Sequence, residues 1–123
     1  MGVDYESVRT YCLAKLETTE GYPFGEGTLV FKVAGRMFAL VAEDNEPLSI
    51  NLKCDPEDAL ALRDQYVAIR PGYHMDKKHW NTLVLDGSLG DGLVKELIDH
   101  SYNLVVRKLK VVDRERILKR IKK

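Results

Sequence analysis

Three strand-like stretches of the chain follow one another with short connections between them, and the first and the third alternate between two faces with a period of two. The first, 28–33, is followed by Ala34-Gly35 and then by 37–42, a pattern that predicts a β-hairpin closed by a tight turn. The third stretch, 48–54, has the clearest alternation in the sequence. Strands joined by short turns pair in antiparallel fashion, so this region predicts an antiparallel sheet with one face toward a core.

Helices are predicted on both sides of these strands. Asp55-Pro56 combines an N-cap residue with a proline at the first helical position, and apolar residues elsewhere recur at helical spacing. We predict helices over 5–17, 56–66 and 90–109, a short basic helix capped by Asp113, further strands over 67–70 and 80–85, and a loop over 18–27. This order predicts an α+β fold, in which about five antiparallel strands carry helices packed on one face.

Size and composition agree with one soluble globular domain. The chain has 123 residues, of which 45% are hydrophobic and 31% are charged, and its apolar runs are too short to span a bilayer. The N-terminus lacks the basic and apolar regions of a secretory signal, so we expect a cytoplasmic protein. Cys12 and Cys54 fall in apolar-periodic segments, which favours buried thiols over a disulfide.

A net charge of zero conceals an asymmetry along the chain. Residues 107–123 contain nine Lys and Arg against two carboxylates, a net charge of +7, so residues 1–106 carry −7. A basic segment on an acidic body predicts either an arm for an anionic partner or a clamp onto its own body. Both interpretations remain open from the sequence.

The segment 70–82 holds an unusual concentration of basic and aromatic residues between two apolar stretches. Pro71-Gly72 marks a turn, Lys77 and Lys78 require solvent, and Trp80 is the single tryptophan of the chain. Phosphates bind cations, and bases bind aromatic rings and amides, so these residue types suit nucleic-acid binding. A charged loop that is simply part of the surface has the same composition.

Several longer motifs resemble the MmcQ/YjbR family of small bacterial proteins, in the same order over about 5–109. The matching segments are Pro23-Phe24-Gly25, Leu29-Val30-Phe31-Lys32-Val33 with Met37-Phe38-Ala39-Leu40, Asn51-Leu52-Lys53-Cys54-Asp55-Pro56, Pro71-Gly72-Tyr73-His74-Met75 with Lys77-Lys78-His79-Trp80-Asn81-Thr82, and Asp99-His100-Ser101-Tyr102-Asn103-Leu104-Val105. The resemblance implies a frataxin-like (CyaY-like) α+β sandwich, described as a double-wing DNA-binding motif. It therefore implies one domain over 1–109, with 110–123 as a basic helical tail.

The residues and the resemblance together predict a non-enzymatic DNA-binding protein. The expected binding residues are Asn51, Lys53, Arg70, Tyr73, His74, Lys77, Lys78, His79 and Asn81. The alternative is a small-molecule, anion-binding or protein-interaction module on the same surface, with Asn51, Lys53, His74 and Lys78 lining a pocket.

Catalytic and metal chemistry find little support in the sequence. The chain lacks the nucleophile-elbow, phosphate-loop, dinucleotide and zinc-protease motifs, so we expect no enzyme activity and no cofactor. His74 and His79 flank Asp76, yet two adjacent lysines would repel a cation, so we expect no metal site there.

Overall fold

The structure is a computed structural model that describes residues 4–73 and 75–121. The elements follow in the order α1 (Tyr5–Leu13), β1 (Thr18–Gly21), β2 (Thr28–Val33), β3 (Arg36–Ala42), β4 (Ser49–Lys53), α2 (Pro56–Gln65), β5 (Ile69–Pro71), β6 (Trp80–Val84), α3 (Asp91–Arg107) and α4 (Val111–Ile121). Within these described ranges, no helix combines the length and hydropathy that crossing a bilayer would need.

All strands form one antiparallel sheet with the order β1-β2-β3-β4-β6-β5. The hairpin between β2 and β3 turns at Ala34 and Gly35, whose φ angles of 47° and 85° give the left-handed conformation that a two-residue hairpin turn requires. A bulge between Phe31 and Lys32 lets both Phe38 and Ala39 enter the core. The antiparallel hairpin predicted from the alternating residues is therefore confirmed.

The main core lies between one face of the sheet and the helices. Phe31, Phe38, Ile50 and Leu83 of the sheet are fully buried with Ile98 and other apolar residues of the helices. The opposite face carries only a small apolar cluster of Val30, Leu40 and Trp80, against which Met37 and Met75 pack. We call this second face the open face, because the described helices contribute no residue to its apolar cluster.

Helix ends follow the local sequence. The Asp4 carboxylate accepts a hydrogen bond from the Ser7 amide at 2.8 Å and begins α1, while the Asp55 carboxylate accepts one from the Glu57 amide at 3.1 Å and begins α2. Pro56 occupies the first helical position of α2, as the sequence predicts. The α+β class, the antiparallel sheet and its helical cover are confirmed.

Three details differ from the sequence-based expectation. The sheet has six strands rather than five, because Thr18–Gly21 pairs with β2 in a region expected to be a loop. The first helix ends at Leu13 rather than near residue 17. Asp113 lies inside the first turn of α4 rather than at its N-cap, so its carboxylate instead meets Arg116 at 2.8 Å.

Candidate functional site

Strand pairing brings side chains from distant parts of the chain into rows across the open face. Lys53, the last residue of β4, lies opposite Trp80, the first residue of β6. Asn51 lies opposite both Leu40 and Thr82 in the next row. The open face therefore combines polar side chains of β4 with apolar side chains of β3 and the Trp80 ring of β6.

Four cations surround a hollow of about 460 Å³ where the open face meets the end of α3. Lys32 is near the end of β2, Arg36 begins β3, Lys53 ends β4, and Lys108 follows the last residue of α3. The apolar part of the lining consists of Pro23, Phe24, Met37, Trp80 and Val105. We call this site the basic hollow.

The basic hollow concentrates positive charge without compensating carboxylates. Within residues 4–73 and 75–121, the ion pairs involve none of its four cations. Partial burial lowers the pKa of Lys53, and the nearby charges of Lys108 and Arg36 lower it further, while Asp76 opposes them. Like charges held together in a partly dehydrated concavity favour the binding of an anion.

A second depression of about 520 Å³ adjoins this site on the open face. Leu40, Met75 and Asn51 line it, and the exposed rings of Phe24 and Tyr73 border it. Phe24 also lines the basic hollow, so the two concavities share one wall. Glu26 and Asp44 lie at the rim of this second depression, which we call the apolar groove.

The far end of the same strands is acidic. A hollow of about 880 Å³ follows the end of β3 and contains five carboxylates, which belong to Asp4, Glu43, Asp44, Glu46 and Asp86. Glu43 accepts hydrogen bonds from the hydroxyls of Tyr5 and Tyr22, the latter at 2.8 Å, and both bonds raise the pKa of the phenol concerned. The strands of the sheet therefore run from a basic end to an acidic end.

The predicted site residues do not converge on one place. Lys53 is in the basic hollow, and Asn51 and Tyr73 border the apolar groove. Arg70 lies in a separate depression with Asn51, Thr82 and several residues of the acidic end, away from the other cations. His74 lies outside the described residues.

Lys77, Lys78 and His79 form a turn beside Trp80 rather than a lining of the basic hollow. The Lys77 ammonium donates to the Gly72 carbonyl at 3.2 Å, and the His79 ring meets the Asp76 carboxylate at 2.7 Å. Asp76 also accepts a hydrogen bond from the Lys78 amide at 3.0 Å, which closes the turn. The segment therefore positions Trp80 at the hollow, while its own charges are partly neutralised by Asp76.

Asn81 is only 2% exposed, so its amide is not available to a ligand. Its Oδ1 accepts a hydrogen bond from Arg63 Nε at 2.7 Å, and its Nδ2 donates to the Ala59 carbonyl at 3.4 Å. These contacts join the start of β6 to α2. Asn81 points to the face opposite Trp80 because neighbouring residues of a strand alternate sides.

Sequence reasoning missed three of the four cations in the basic hollow. Lys32 occupies a polar position of the alternating pattern in β2, and Arg36 directly follows a predicted turn. The sequence therefore indicates that Lys32 and Arg36 are exposed, but it does not show that the strand order places them beside Lys53. Lys108 lies in the basic C-terminal region, where one more cation carries no distinct signal.

The cysteines and the described histidines form no activated nucleophile. Cys12 and Cys54 are free and buried, as the sequence predicts. Burial raises the pKa of the Cys54 thiol to about 11 and that of Cys12 to about 12, so both are protonated at neutral pH. His100 Nε2 accepts a hydrogen bond from the Asp55 amide at 3.3 Å and so helps to fix the start of α2.

Comparison with known proteins gives a consistent family. The YjbR family model matches residues 13–104. The uncharacterised protein YbdF of Escherichia coli O157:H7 is 41% identical over 96 residues, which cover 78% of this chain and 79% of YbdF. The uncharacterised protein YjbR of E. coli strain K12 is 37% identical over 99 residues, covering 80% of this chain and 84% of YjbR.

Solved structures show the same fold. The crystal structure of Deinococcus radiodurans protein DR2400 matches with a TM-score of 0.86 and 39% identity, over 91% of this chain and 86% of that one. A crystal structure of a Pseudomonas syringae protein matches with a TM-score of 0.72 and 29% identity, over 83% of this chain and 98% of that one.

Proposed function

This chain belongs to the YjbR family, and from that premise we propose that it is a non-enzymatic DNA-binding protein that contacts phosphates through the basic hollow. The observation that carries the proposal is the convergence of Lys32, Arg36, Lys53 and Lys108 on one concavity without a carboxylate partner. Backbone contacts from Lys and Arg supply most of the non-specific affinity of DNA-binding proteins.

The zero net charge does not oppose this proposal, because the charges are separated in space. Arg36 begins β3, and Glu43, Asp44 and Glu46 follow its end. Seven strand residues span about 23 Å, which exceeds the screening length of about 8 Å at physiological salt. A phosphate at the basic hollow therefore experiences mainly the local cations.

The C-terminal region contributes less free positive charge than its composition suggests. Arg116 forms a two-pronged contact with Glu17 and a further one with Asp113, and Arg120 lies 3.9 Å from Glu17. Lys108, in contrast, lines the basic hollow. The proposal therefore assigns the phosphate contact to the hollow and not to a basic arm.

The proposal is tested by fluorescence anisotropy with a labelled DNA duplex over a series of salt concentrations. Lys53→Ala and Lys108→Ala should each weaken binding and reduce the slope of log K against log salt by about 0.9, the value for one lost phosphate contact. Lys95→Ala is the matched control. Lys95 is an exposed residue of α3, about 20 Å along the helix axis from Lys108, which caps the C-terminus of that helix. The Lys95→Ala variant should therefore bind DNA as the wild type does.

Two results would contradict the proposal. One is the absence of binding to both a DNA duplex and a DNA single strand at low salt by the wild-type protein. The other is an equal loss of affinity in Lys95→Ala and in the two hollow variants, since that result would show general electrostatic attraction rather than a defined contact.

A second candidate function is the binding of a small anion, and the concave shape of the basic hollow favours it. Its volume of about 460 Å³ is in the range of small-ligand pockets. Chemical-shift mapping with inorganic phosphate and pyrophosphate separates the two functions. Saturable shifts confined to residues around Lys53, without binding to duplex or single-stranded DNA, would favour the small anion.

A further inference from the structure

The basic hollow and the apolar groove form one continuous surface of two different chemistries. Phe24 belongs to both, with one concavity on each side of it. On β4, Lys53 faces the hollow and Asn51 faces the groove. The two residues are two positions apart on the same face, which separates them by about 7 Å.

The apolar groove has the properties of a site for a flat, weakly polar group. Leu40 is 5% exposed and lies under the groove, while the rings of Phe24 and Tyr73 are 63% and 69% exposed at its borders. Exposed aromatic rings that border an apolar floor provide surfaces on which a nucleobase stacks. Solubility alone does not require exposed aromatic rings in these two loops, so the exposure of Phe24 and Tyr73 is an unusual surface feature.

Asn51 supplies a polar contact at the wall of the groove. Its Oδ1 accepts a hydrogen bond from the Thr82 hydroxyl, which also accepts one from the Tyr73 amide at 3.0 Å. This network fixes the orientation of the Asn51 amide, and its Nδ2 makes no hydrogen bond to the described part of the chain. A fixed amide N–H donor beside an apolar floor suits the carbonyl of a base.

The carboxylates at the rim determine which end of a ligand can enter each concavity. Glu26 and Asp44 border the apolar groove and would repel a phosphate there. The four cations of the basic hollow would attract it to the other side of Phe24. Charge complementarity therefore orients a ligand that has an anionic group attached to a flat, neutral ring.

We propose that the open face binds a nucleotide unit of a single nucleic-acid strand, with its phosphate in the basic hollow and its base in the apolar groove. This inference rests on the proposed function and narrows its ligand. A base within a duplex is stacked and paired, so it cannot enter the groove, whereas a base in a single strand can.

The test compares three DNA ligands of equal length by anisotropy: an oligothymidylate strand, a strand of the same length built entirely from abasic units, and a duplex. The abasic strand keeps the phosphates and lacks the bases. The wild-type protein should bind oligothymidylate roughly fivefold or more tightly than the abasic strand, the effect of stacking one base.

Substitution at Phe24 gives the second part of the test. Phe24→Ala should lower the affinity for oligothymidylate by a larger factor than the affinity for the abasic strand, so that the preference between the two is lost. Phe24→Leu should restore little of that preference, because a ring is required for stacking. Leu60→Ala is the control, since Leu60 is similarly exposed, at 64%, and lies on α2. Trp80, the single tryptophan, lines the hollow and should change its fluorescence on binding.

The outcomes separate this inference from the function on which it rests. Equal affinity for the abasic strand and oligothymidylate, with salt-dependent binding of both, would overturn the base site and leave the phosphate contact in place. Tighter binding of the duplex than of either strand would also overturn it. Failure of all three ligands to bind would remove both proposals.

Discussion

Lys53 is the residue at which the requirements of folding and of binding oppose each other. Its ammonium is partly buried, and Lys108 and Arg36 lie close enough to lower its pKa below the usual 10.5. At neutral pH and without a bound anion, the charge on Lys53 therefore lowers the stability of the folded state. A residue with this cost is typical of a functional site rather than of a structural one.

Replacement of this lysine should stabilise the protein. Lys53→Met keeps an unbranched side chain beside Met37 and Trp80 and removes the unfavourable charge, so its melting temperature at neutral pH should exceed that of the wild type. Because the folded-state pKa is depressed, the wild type regains stability as the pH rises from that pKa toward 10.5. The difference between the two proteins should therefore narrow in alkaline solution, as measured by thermal unfolding.

The same variant should bind DNA more weakly than the wild type, and this weaker binding distinguishes a binding residue from a merely strained one. Lys95→Met is the control, and it should change neither property strongly, because Lys95 is exposed. A melting temperature below that of the wild type for Lys53→Met would contradict the assignment.

At the residue scale, the alternation of side chains between the two faces of a strand explains which predicted site residues lie on the open face. The alternation in 48–54 correctly placed Asn51 and Lys53 on one side and Leu52 on the other. Asn81 was included because of its neighbours in the sequence, yet one position along a strand moves a side chain to the opposite face. A prediction made from the composition of the segment 70–82 therefore does not separate Asn81, which is buried against α2, from Trp80 and Thr82, which lie on the open face.

At the scale of elements, the connection between α1 and β1 depends on Glu17. Its φ of 56° is the left-handed conformation, which residues with a Cβ rarely adopt. Its carboxylate receives both prongs of the Arg116 guanidinium, at 2.6 and 2.7 Å, which lowers the pKa of Glu17. Glu17 thus both forms the tight turn between α1 and β1 and binds Arg116 of α4.

Glycine and alanine at position 17 should have different effects on stability. Both remove the carboxylate, but glycine adopts a positive φ without steric cost and alanine does not. Glu17→Gly should therefore be more stable than Glu17→Ala by roughly 1 kcal/mol in denaturant unfolding. Arg116→Ala removes the exposed ion pairs with Glu17 and Asp113 and should lower the stability only slightly. Equal stability of the two position-17 variants would contradict the role given to the backbone.

The sequence predicted the longer elements and missed β1 for a clear reason. The strand Thr18–Gly21 has no large apolar residue, so its sequence contains no alternating signal. It forms because the edge of β2 offers backbone partners from Val30 to Val33. Tertiary pairing rather than local preference determines this strand, and a sequence pattern cannot show it.

At the scale of the whole molecule, the fold separates charge that the composition balances. Lys32, Arg36 and Lys53 lie at one end of neighbouring strands, and the five carboxylates of the acidic hollow lie at the other. Along the chain, the charge asymmetry lies between residues 1–106 and residues 107–123. The asymmetry in space is different, because three of the four cations in the hollow come from the acidic part of the sequence.

The number of cations at the basic hollow limits the salt dependence of binding. Four cations can neutralise at most four phosphates, so the slope of log K against log salt should be no steeper than about −3 for a single strand, at about 0.7 per contact. A salt titration of oligothymidylate binding measures this slope. A value much steeper than that would require cations outside the hollow, such as those of α4, and would contradict the limited role given to that helix.

The opposite charges at the two ends of the strands have a consequence for how partners meet. A molecule with no net charge but with a large dipole is turned by the field of a polyanion before the two surfaces touch. The polyanion would repel a protein that approaches with its acidic end first and would attract one that approaches with its basic end first. The charge separation along the strands thus orients the protein before contact, and the rate of productive encounter depends on rotation of the protein as well as on its diffusion.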